Sequence, residues 1–239
     1  MKWDCIIIGA GVAGATLANK LSGHGDTLLI DDHSNEKEFP VKTNLFVEHN
    51  KPYVRDLDLN WEDETIFSIP HVKANFMGKE VNGIIDSTEF GEPLGYIIYT
   101  ENLLRHLIDR FRDKEGEVRF GEEAISVKRT PSGVSIQTNE SQYQGRVVLI
   151  ATGSSGFKIQ KSLGFQVPDK FVGTYQNMVG TEDQLKENFH ADYTFHINTK
   201  ISKTGPFFIN KGRERISLGY LGDIQESPGE ISKKLLRII

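Results

Sequence analysis

The sequence predicts an α/β protein: a three-layer, mostly parallel sheet interrupted by an antiparallel three-strand ribbon, together with a smaller mixed-sheet domain. Three observations carry that reading. Two short apolar runs, Cys5 to Ile8 and Thr27 to Ile30, flank a helical pattern, as in a βαβ unit. A third run of the same kind, Val147-Val148-Leu149-Ile150, returns far down the chain. The stretches before and after it alternate apolar and polar residues, with turn residues at the joints.

The first strand runs into Gly9-Ala10-Gly11-Val12-Ala13-Gly14. Gly9 permits the tight turn off the strand. Gly11 keeps the backbone bare, so that a pyrophosphate can approach, and Gly14 lets the next helix pack closely on the sheet. That helix, Ala13 to Ser22, has Ala13, Leu17, Ala18 and Leu21 on one side. Its first-turn N–H groups point at any phosphate there, with the positive end of the helix dipole behind them. Gly23 and Gly25 end the helix, and the second strand closes on Asp31 and Asp32, 17 and 18 residues past Gly14. An acid at that place accepts hydrogen bonds from a ribose and repels a 2′-phosphate. A lone GxGxxG is a weak signal, but strand, glycines, helix, second strand and acid in order read as a dinucleotide site.

The pattern is irregular from Asp32 to Gly95, with short strands at Thr65 to Ile69 and Val81 to Asp86. A strand from Gly95 to Tyr99 precedes a helix from Glu101 to about Lys114, whose Leu103, Leu104, Leu107, Ile108 and Phe111 keep helical spacing. Thr100 suits its N-cap and Glu101 its first turn. Val118 to Phe120, Ala124 to Lys128 and Val134 to Thr138 read as the ribbon, with a turn at Pro131-Ser132-Gly133. Arg146 to Gly153 reads as a buried strand ending in a glycine turn. Further strands are expected at Asp192 to Ile197, Gly205 to Gly212 and Arg215 to Gly222.

Composition narrows the function classes. The 239 residues suffice for one or two domains, and 28 Lys plus Arg against 33 Asp plus Glu give no electrostatic case for nucleic acid. No apolar run approaches the roughly 20 residues of a membrane span, and glycines break the N-terminal apolar stretch, so it does not read as a signal peptide. Peripheral membrane contact stays open. Cys5 is the single cysteine, which excludes a disulfide within these residues and suits a core position in a cytoplasmic protein. His190 and His196 lack zinc spacing, and no metal site is expected. No paired carboxylates or Ser-His-Asp order argue for hydrolysis. Lys211, Arg213 and Arg215 read as a solvated basic group.

GAGVAG, an acid after the second strand, a helix, a three-strand ribbon and then VVLIATG together resemble the FAD domain of the p-hydroxybenzoate hydroxylase and geranylgeranyl reductase flavoproteins. Order and spacing match across about residues 1–160. The resemblance implies a discontinuous, Rossmann-like FAD/NAD(P)-binding domain of residues 1–50 and 95–160. It implies a substrate-side domain of residues 51–94 and 161–239. FAD is the implied cofactor, held by Gly9, Ala10, Gly11, Val12, Ala13 and Gly14. Asp31 would bind the adenosine ribose, with Asp32 beside it, and the Ala124 backbone would lie by the adenine. Ala151, Thr152 and Gly153 would pass close to the dinucleotide, Thr152 standing where many relatives carry Asp. Phe207 lies near the place of the family's usual tryptophan, and Asn210 replaces a turn proline. Phe207 and Phe208 either line an apolar pocket over the flavin or fill the core of their domain.

What the resemblance implies about activity is an FAD-dependent oxidoreductase, geranylgeranyl-reductase-like, moving hydride between flavin and an apolar small molecule. NAD(P)H or another donor would reduce it, and no catalytic residue can be named. A flavin-dependent aromatic hydroxylase or monooxygenase is the alternative on the same fold. Two readings from other classes stay open: a non-catalytic nucleotide-binding remnant and an NAD-dependent dehydrogenase. The family's Gly-Asp motif at the ribityl chain has no counterpart here, because Gly222-Asp223 reads as a strand end. Ser227-Pro228-Gly229-Glu230 is a capping box before an apolar stripe of Ile231, Leu235, Leu236 and Ile239. A helix is therefore expected to open there, with the chain stopping short of the last portion of the FAD domain.

Overall fold

The computed structural model describes residues 2–69, 73–78, 80–153, 157–167, 171–196, 206–223 and 233. The chain begins with β1 (Lys2–Ile8), α1 (Val12–Leu21), β2 (Thr27–Ile30), β3 (Thr43–Val47) and α2 (Lys51–Val54). β4 (Phe67–Ile69), β5 (Lys73–Met77), β6 (Asn82–Asp86), β7 (Gly95–Tyr99) and α3 (Thr100–Asp113) follow. Next come β8 (Glu117–Arg119), β9 (Ala124–Thr130), β10 (Gly133–Thr138), β11 (Gln142–Ile150) and α4 (Phe157–Ser162). The last described elements are β12 (Phe171–Val179), α5 (Glu182–Asn188), β13 (Tyr193–His196), β14 (Phe207–Lys211) and β15 (Arg215–Asp223). They fall into two compact units, one of residues 1–40, 56–58 and 101–167, the other of residues 41–55, 59–100 and 168–239.

In the first unit the strand order is β8-β2-β1-β11-β10-β9. β8, β2, β1 and β11 run parallel, while β10 is antiparallel to both β11 and β9. β11 serves both patterns: Gln142 to Gly145 pair with β10, and Gln144 to Ile150 pair with β1. The ribbon is therefore β9, β10 and the start of β11. Val118 and Arg119, expected in that ribbon, instead form the parallel edge beside β2, whose backbone would otherwise lack a partner on that side.

Period-2 alternation sorts the apolar residues onto two faces. Ile6, Ile8, Leu28 and Ile30 point one way and form a core with Val127, Ile136 and Ile159. Ile7 and Leu29 point the other way, where α1 packs on β1 and β2. The buried side of α1 is Gly14, Ala15, Ala18 and Asn19, not the expected Ala13, Leu17, Ala18 and Leu21. Small residues let the helix approach the sheet closely, and Ala13 is turned outward. Asn19 Nδ2 donates to the Leu107 carbonyl oxygen at 2.7 Å and ties α1 to α3. β11 is less buried than its sequence suggests. Val147 is 52% exposed, because α1 covers β1 and β2 rather than this strand.

The second unit holds a six-stranded sheet, β12-β15-β14-β13-β5-β6, and a three-stranded sheet, β3-β7-β4. Antiparallel pairing of β3 with β7, Thr43 opposite Tyr99, carries residues 41–50 and 95–100 into this unit rather than into the first, as the sequence had suggested. Phe207, Ile209, Ile216, Leu218 and Tyr220 form its core on one face of β14 and β15, with Leu185 of α5. The Thr181–Gln184 capping box starts α5. At the other face Thr43 donates its N–H to Ser217 Oγ (2.7 Å) and its hydroxyl to the Asn210 carbonyl oxygen (2.8 Å). Buried Lys211 donates to the Phe189 carbonyl oxygen at 2.7 Å and lies 3.4 Å from Asp192, so it is a structural cation and not a solvated one. Gly222 and Asp223 lie within β15, opposite Val172 and Phe171. The helix expected from Ser227 lies outside the described residues.

His196 is 9% exposed, its ring 5.2 Å from that of Phe207, and burial holds its pKa below the ordinary histidine value. The unfolded chain therefore binds the proton first, and the contribution of this residue to stability is lost as pH falls through that lowered value. Urea midpoints measured from pH 7.5 down to 5 should fall for the native sequence more than for His196→Phe. Parallel pH profiles for the two proteins would contradict a neutral, buried His196.

Candidate nucleotide-binding site

Ile8 of β1 lies opposite Ile30 of β2 and Ile150 of β11, so Gly9, Asp31 and Ala151 leave three neighbouring parallel strands side by side. Gly9 N–H donates to the Ile30 carbonyl oxygen and Ala151 N–H to that of Ile8, both at 2.7 Å. From β1 the chain steps outward to β2 and β8, then returns on the opposite side of β1 as β11. That reversal, at the carboxyl ends of the strands, is the place where open α/β sheets bind ligands.

The three glycines of the turn differ in kind. Gly9 has φ +104°, and a Cβ on it would lie 2.6 Å from the Ala151 carbonyl oxygen. A Cβ on Gly14 would lie 1.8 Å from the Gly9 carbonyl oxygen. Both are bare because the turn packs on itself and on the end of β11. Gly11, at the N-cap of α1, has φ −65° and ψ 179°, a backbone any residue adopts, and a Cβ there would meet nothing within 4 Å. It borders open space, as do exposed Val12 and Ala13, at the helix end whose first N–H groups have no intrahelical acceptor. A diphosphate fits there, against bare backbone that a side chain on residue 11 would cover.

Asp31 is 6% exposed and holds the turn in place. Its Oδ2 accepts the Ala10 N–H at 2.5 Å. Its Oδ1 accepts the His33 N–H at 2.9 Å and lies 2.5 Å from His33 Nδ1. A carboxylate offers about four acceptor positions, so Asp31 keeps about one for a ribose hydroxyl. Asp32 is mostly exposed, 3.6 Å from His33 Nδ1. Sequence reading passed over His33. Its signal was its place two residues beyond Asp31, where a side-chain carboxylate closes a local turn.

The next connection is stitched to this corner. Gly121 N–H donates to the His33 carbonyl oxygen (2.7 Å) and Glu122 N–H to that of Asp31 (2.9 Å). The buried Glu122 carboxylate accepts the hydroxyls of Thr138 (2.8 Å) and Tyr143 (2.7 Å). Burial, then the bond to Glu122, pushes the Tyr143 phenol above its ordinary value. Ala124 opens β9, half-buried against the core. On the other side of Gly9, Thr152 Oγ1 accepts from Gln160 Nε2 at 2.8 Å, and Gly153 turns at φ +63° facing open space. Gly9 to Gly14, Asp31 and Ala151 to Gly153 are thus brought together in the first unit.

Phe207 and Phe208 are not brought together. Neighbours on a strand face opposite sides of the sheet. Phe207 is fully buried in the core, while Phe208 is half-buried on the other face, across from Phe195.

Residues 3–192 match the family described as pyridine nucleotide-disulphide oxidoreductase. The chain belongs to that family. Its members are FAD-dependent flavoproteins. With Cys5 its one cysteine, buried and with its thiol pKa raised by desolvation, this flavoprotein carries no dithiol pair within its 239 residues. Among solved structures it is similar to a geranylgeranyl bacteriochlorophyll reductase-like protein from Thermoplasma acidophilum. The TM-score is 0.76 at 17% identity, over 100% of this chain and 61% of that one. It is also similar to p-nitrophenol 4-monooxygenase PnpA from Pseudomonas putida, with TM-score 0.76 and 11% identity over 98% and 61% of the two chains. A mutant of the halogenase PltM in complex with FAD gives 0.71 and 14% over 99% and 56%. At these identities the likeness is one of fold. The flavoprotein spans about three-fifths of the length of the first two. No curated protein matches it. Among the described residues no helix is long and apolar enough to cross a membrane.

The two kinds of glycine should separate in unfolding experiments. Gly14→Ala forces a backbone clash and should cost about 3 kcal/mol or more. Gly11→Val, a poorer N-cap in open space, should cost about 1 kcal/mol. Equal losses in urea midpoint for the two variants would contradict the packing described.

Proposed function

We propose that this flavoprotein binds FAD across the strand ends of its first unit and acts as an FAD-dependent oxidoreductase on an apolar small molecule. The observation that carries the reading is the bare backbone of Gly11 facing open space, in a turn whose other glycines are close-packed. In this reading the N–H groups at the start of α1 hold the diphosphate, and Asp31, fixed by Ala10 and His33, takes an adenosine ribose hydroxyl. The backbone near Ala124 borders the adenine, and the bare backbone of Gly153 lets the dinucleotide pass. Bound flavin supplies hydride transfer, and the protein supplies orientation and exclusion of water.

The second unit is the substrate side. Support comes from a half-open aromatic row on the face of its large sheet opposite the core. Phe208 stands across from Phe195, Phe195 stacks on Tyr193 at 6.0 Å, and Tyr193 meets Phe76 at 6.4 Å. Burial pushes the Tyr193 phenol up to about 12, so it stays neutral and suits an apolar ligand. Reduction of a carbon–carbon double bond, as in a geranylgeranyl-reductase-like enzyme, is the first reading, with NAD(P)H or another donor reducing the flavin. Hydroxylation with oxygen is the second, favoured by a TM-score to PnpA equal to that of the reductase-like protein. Rapid reoxidation of reduced flavin by air in the presence of an aromatic substrate would favour the second. A cytoplasmic setting is in keeping with the single cysteine.

Titration with FAD, followed by flavin fluorescence, tests the binding directly. The native sequence should bind, and Gly11→Val should weaken binding at least about tenfold through lost backbone approach. Unchanged affinity in that variant would remove the diphosphate role, and no binding by the native chain would leave a nucleotide-fold remnant.

A further inference from the structure

The two large sheets treat their edges differently. In the first unit both edge strands carry charge, Glu117 and Arg119 on β8 and Lys128 and Arg129 on β9. Such charges keep a further strand from adding. In the second unit β6 ends the six-stranded sheet with Asn82-Gly83-Ile84-Ile85-Asp86. Its last residue alone is charged, and no proline interrupts it. Ile84 is 68% exposed, with Ile85 beside it at 38%.

The hairpin tells which backbone groups of β6 are open. Gly78 N–H donates to the Val81 carbonyl oxygen at 2.9 Å, so those two form a hydrogen-bonded pair. Counting in twos along the register, Phe76–Gly83 and Ala74–Ile85 are hydrogen-bonded pairs, while Asn75–Ile84 and Lys73–Asp86 are not. Lys73 agrees, because its N–H and its carbonyl both turn to Asp192, away from β6. Asn82, Ile84 and Asp86 therefore aim their backbone at the free side, and the set is centred on Ile84.

A set of that form is complementary to itself. When two β6 strands run antiparallel about Ile84, each Ile84 N–H meets the carbonyl of the partner's Ile84. Each Asp86 N–H meets the carbonyl of the partner's Asn82, which makes about four hydrogen bonds. The side chains match in the same register. Gly83, where a Cβ would meet nothing within 4 Å, falls opposite the partner's Ile85. The Asn82 amide falls opposite the partner's Asp86 carboxylate, and no two like charges face each other. The same surface serves both copies, so the pairing closes at two.

We propose that β6 is an interface through which two copies of this chain join edge to edge, their second units sharing one continuous sheet.

Sedimentation over a range of concentrations tests this, with Ile84→Lys and Ile84→Pro beside the native sequence. The Ile84 N–H faces outward, so neither change disturbs pairing with β5, and thermal midpoints of dilute protein should stay near native. The native chain should be a dimer that dissociates on dilution. Both variants should raise its dissociation constant at least about tenfold, lysine by setting like charges opposite each other and proline by removing the central donor. Cross-linking gives a second measurement that needs no weakened variant. Ile84→Cys should link to itself through a short bismaleimide, and Val179→Cys on β12, the opposite edge strand, should not. Buried Cys5 stays unreactive in both. A native chain that remains monomeric at the highest concentration it tolerates overturns the proposal and leaves the edge to a strand from another protein. A dimer equally strong in both variants also overturns it, as does one that position 84 fails to cross-link, because the contact then lies elsewhere.

Discussion

The site depends on a steric constraint in one turn. The α-carbon of Gly14 sits so close to the carbonyl of Gly9 that no side chain can intervene, and Gly9 is pressed in the same way onto Ala151. These contacts exist because β1, β2 and β11 end in register, which brings Gly9, Asp31 and Ala151 to one edge of the sheet. With the turn clamped from below by packing and from the side by Asp31 on the Ala10 N–H, the N-terminus of α1 has one fixed position. The open side of Gly11 thus belongs to a turn that packing and one buried carboxylate hold in place. Preorganisation of this kind is what lets backbone amides bind an anion without reordering when it arrives.

Around that clamp the first unit spends buried polar groups on holding neighbours still. Asp31 collects donors from Ala10 and His33, and Glu122 collects hydroxyls from Thr138 and Tyr143. The two acids are joined through the backbone, Glu122 N–H to the Asp31 carbonyl. β11 links the two ends of the system, carrying Tyr143 in its antiparallel half and leading into the Ala151 turn from its parallel half. A carboxylate removed from water is costly unless its oxygens are met by donors, and here both acids are met.

Much of this was legible in the residues, and the misses have physical causes. The strand–glycine–helix–strand–acid order is local, so the β1–α1–β2 unit and its turn could be read directly. The division between a bare Gly11 and a close-packed Gly14 was legible too, but the packing of Gly9 on Ala151 was not, because Ala151 lies far along the chain. The side of α1 that is buried was misread because small residues at Gly14, Ala15 and Ala18 carry little hydrophobic signal. Val118 and Arg119 alternate like a ribbon strand, and only the free edge of β2 decides that they pair in parallel. β3, β5, β12 and α5 went unread: the three strands mix polar and apolar residues without strict alternation, and α5 is a short, mostly polar helix. The adjacency of Phe207 and Phe208 already implied opposite faces, and the strand period would have split the pair.

Amide-resolved NMR of the labelled protein during an FAD titration tests the central claim most directly. The account predicts that the N–H signals of Gly11, Val12 and Ala13 move most on saturation, with Gly153 following and the distant turn at Gly23 and Gly25 unmoved. Binding of FAD that leaves the amides of residues 11 to 13 where they were, with the shifts gathered elsewhere in the chain, would contradict it.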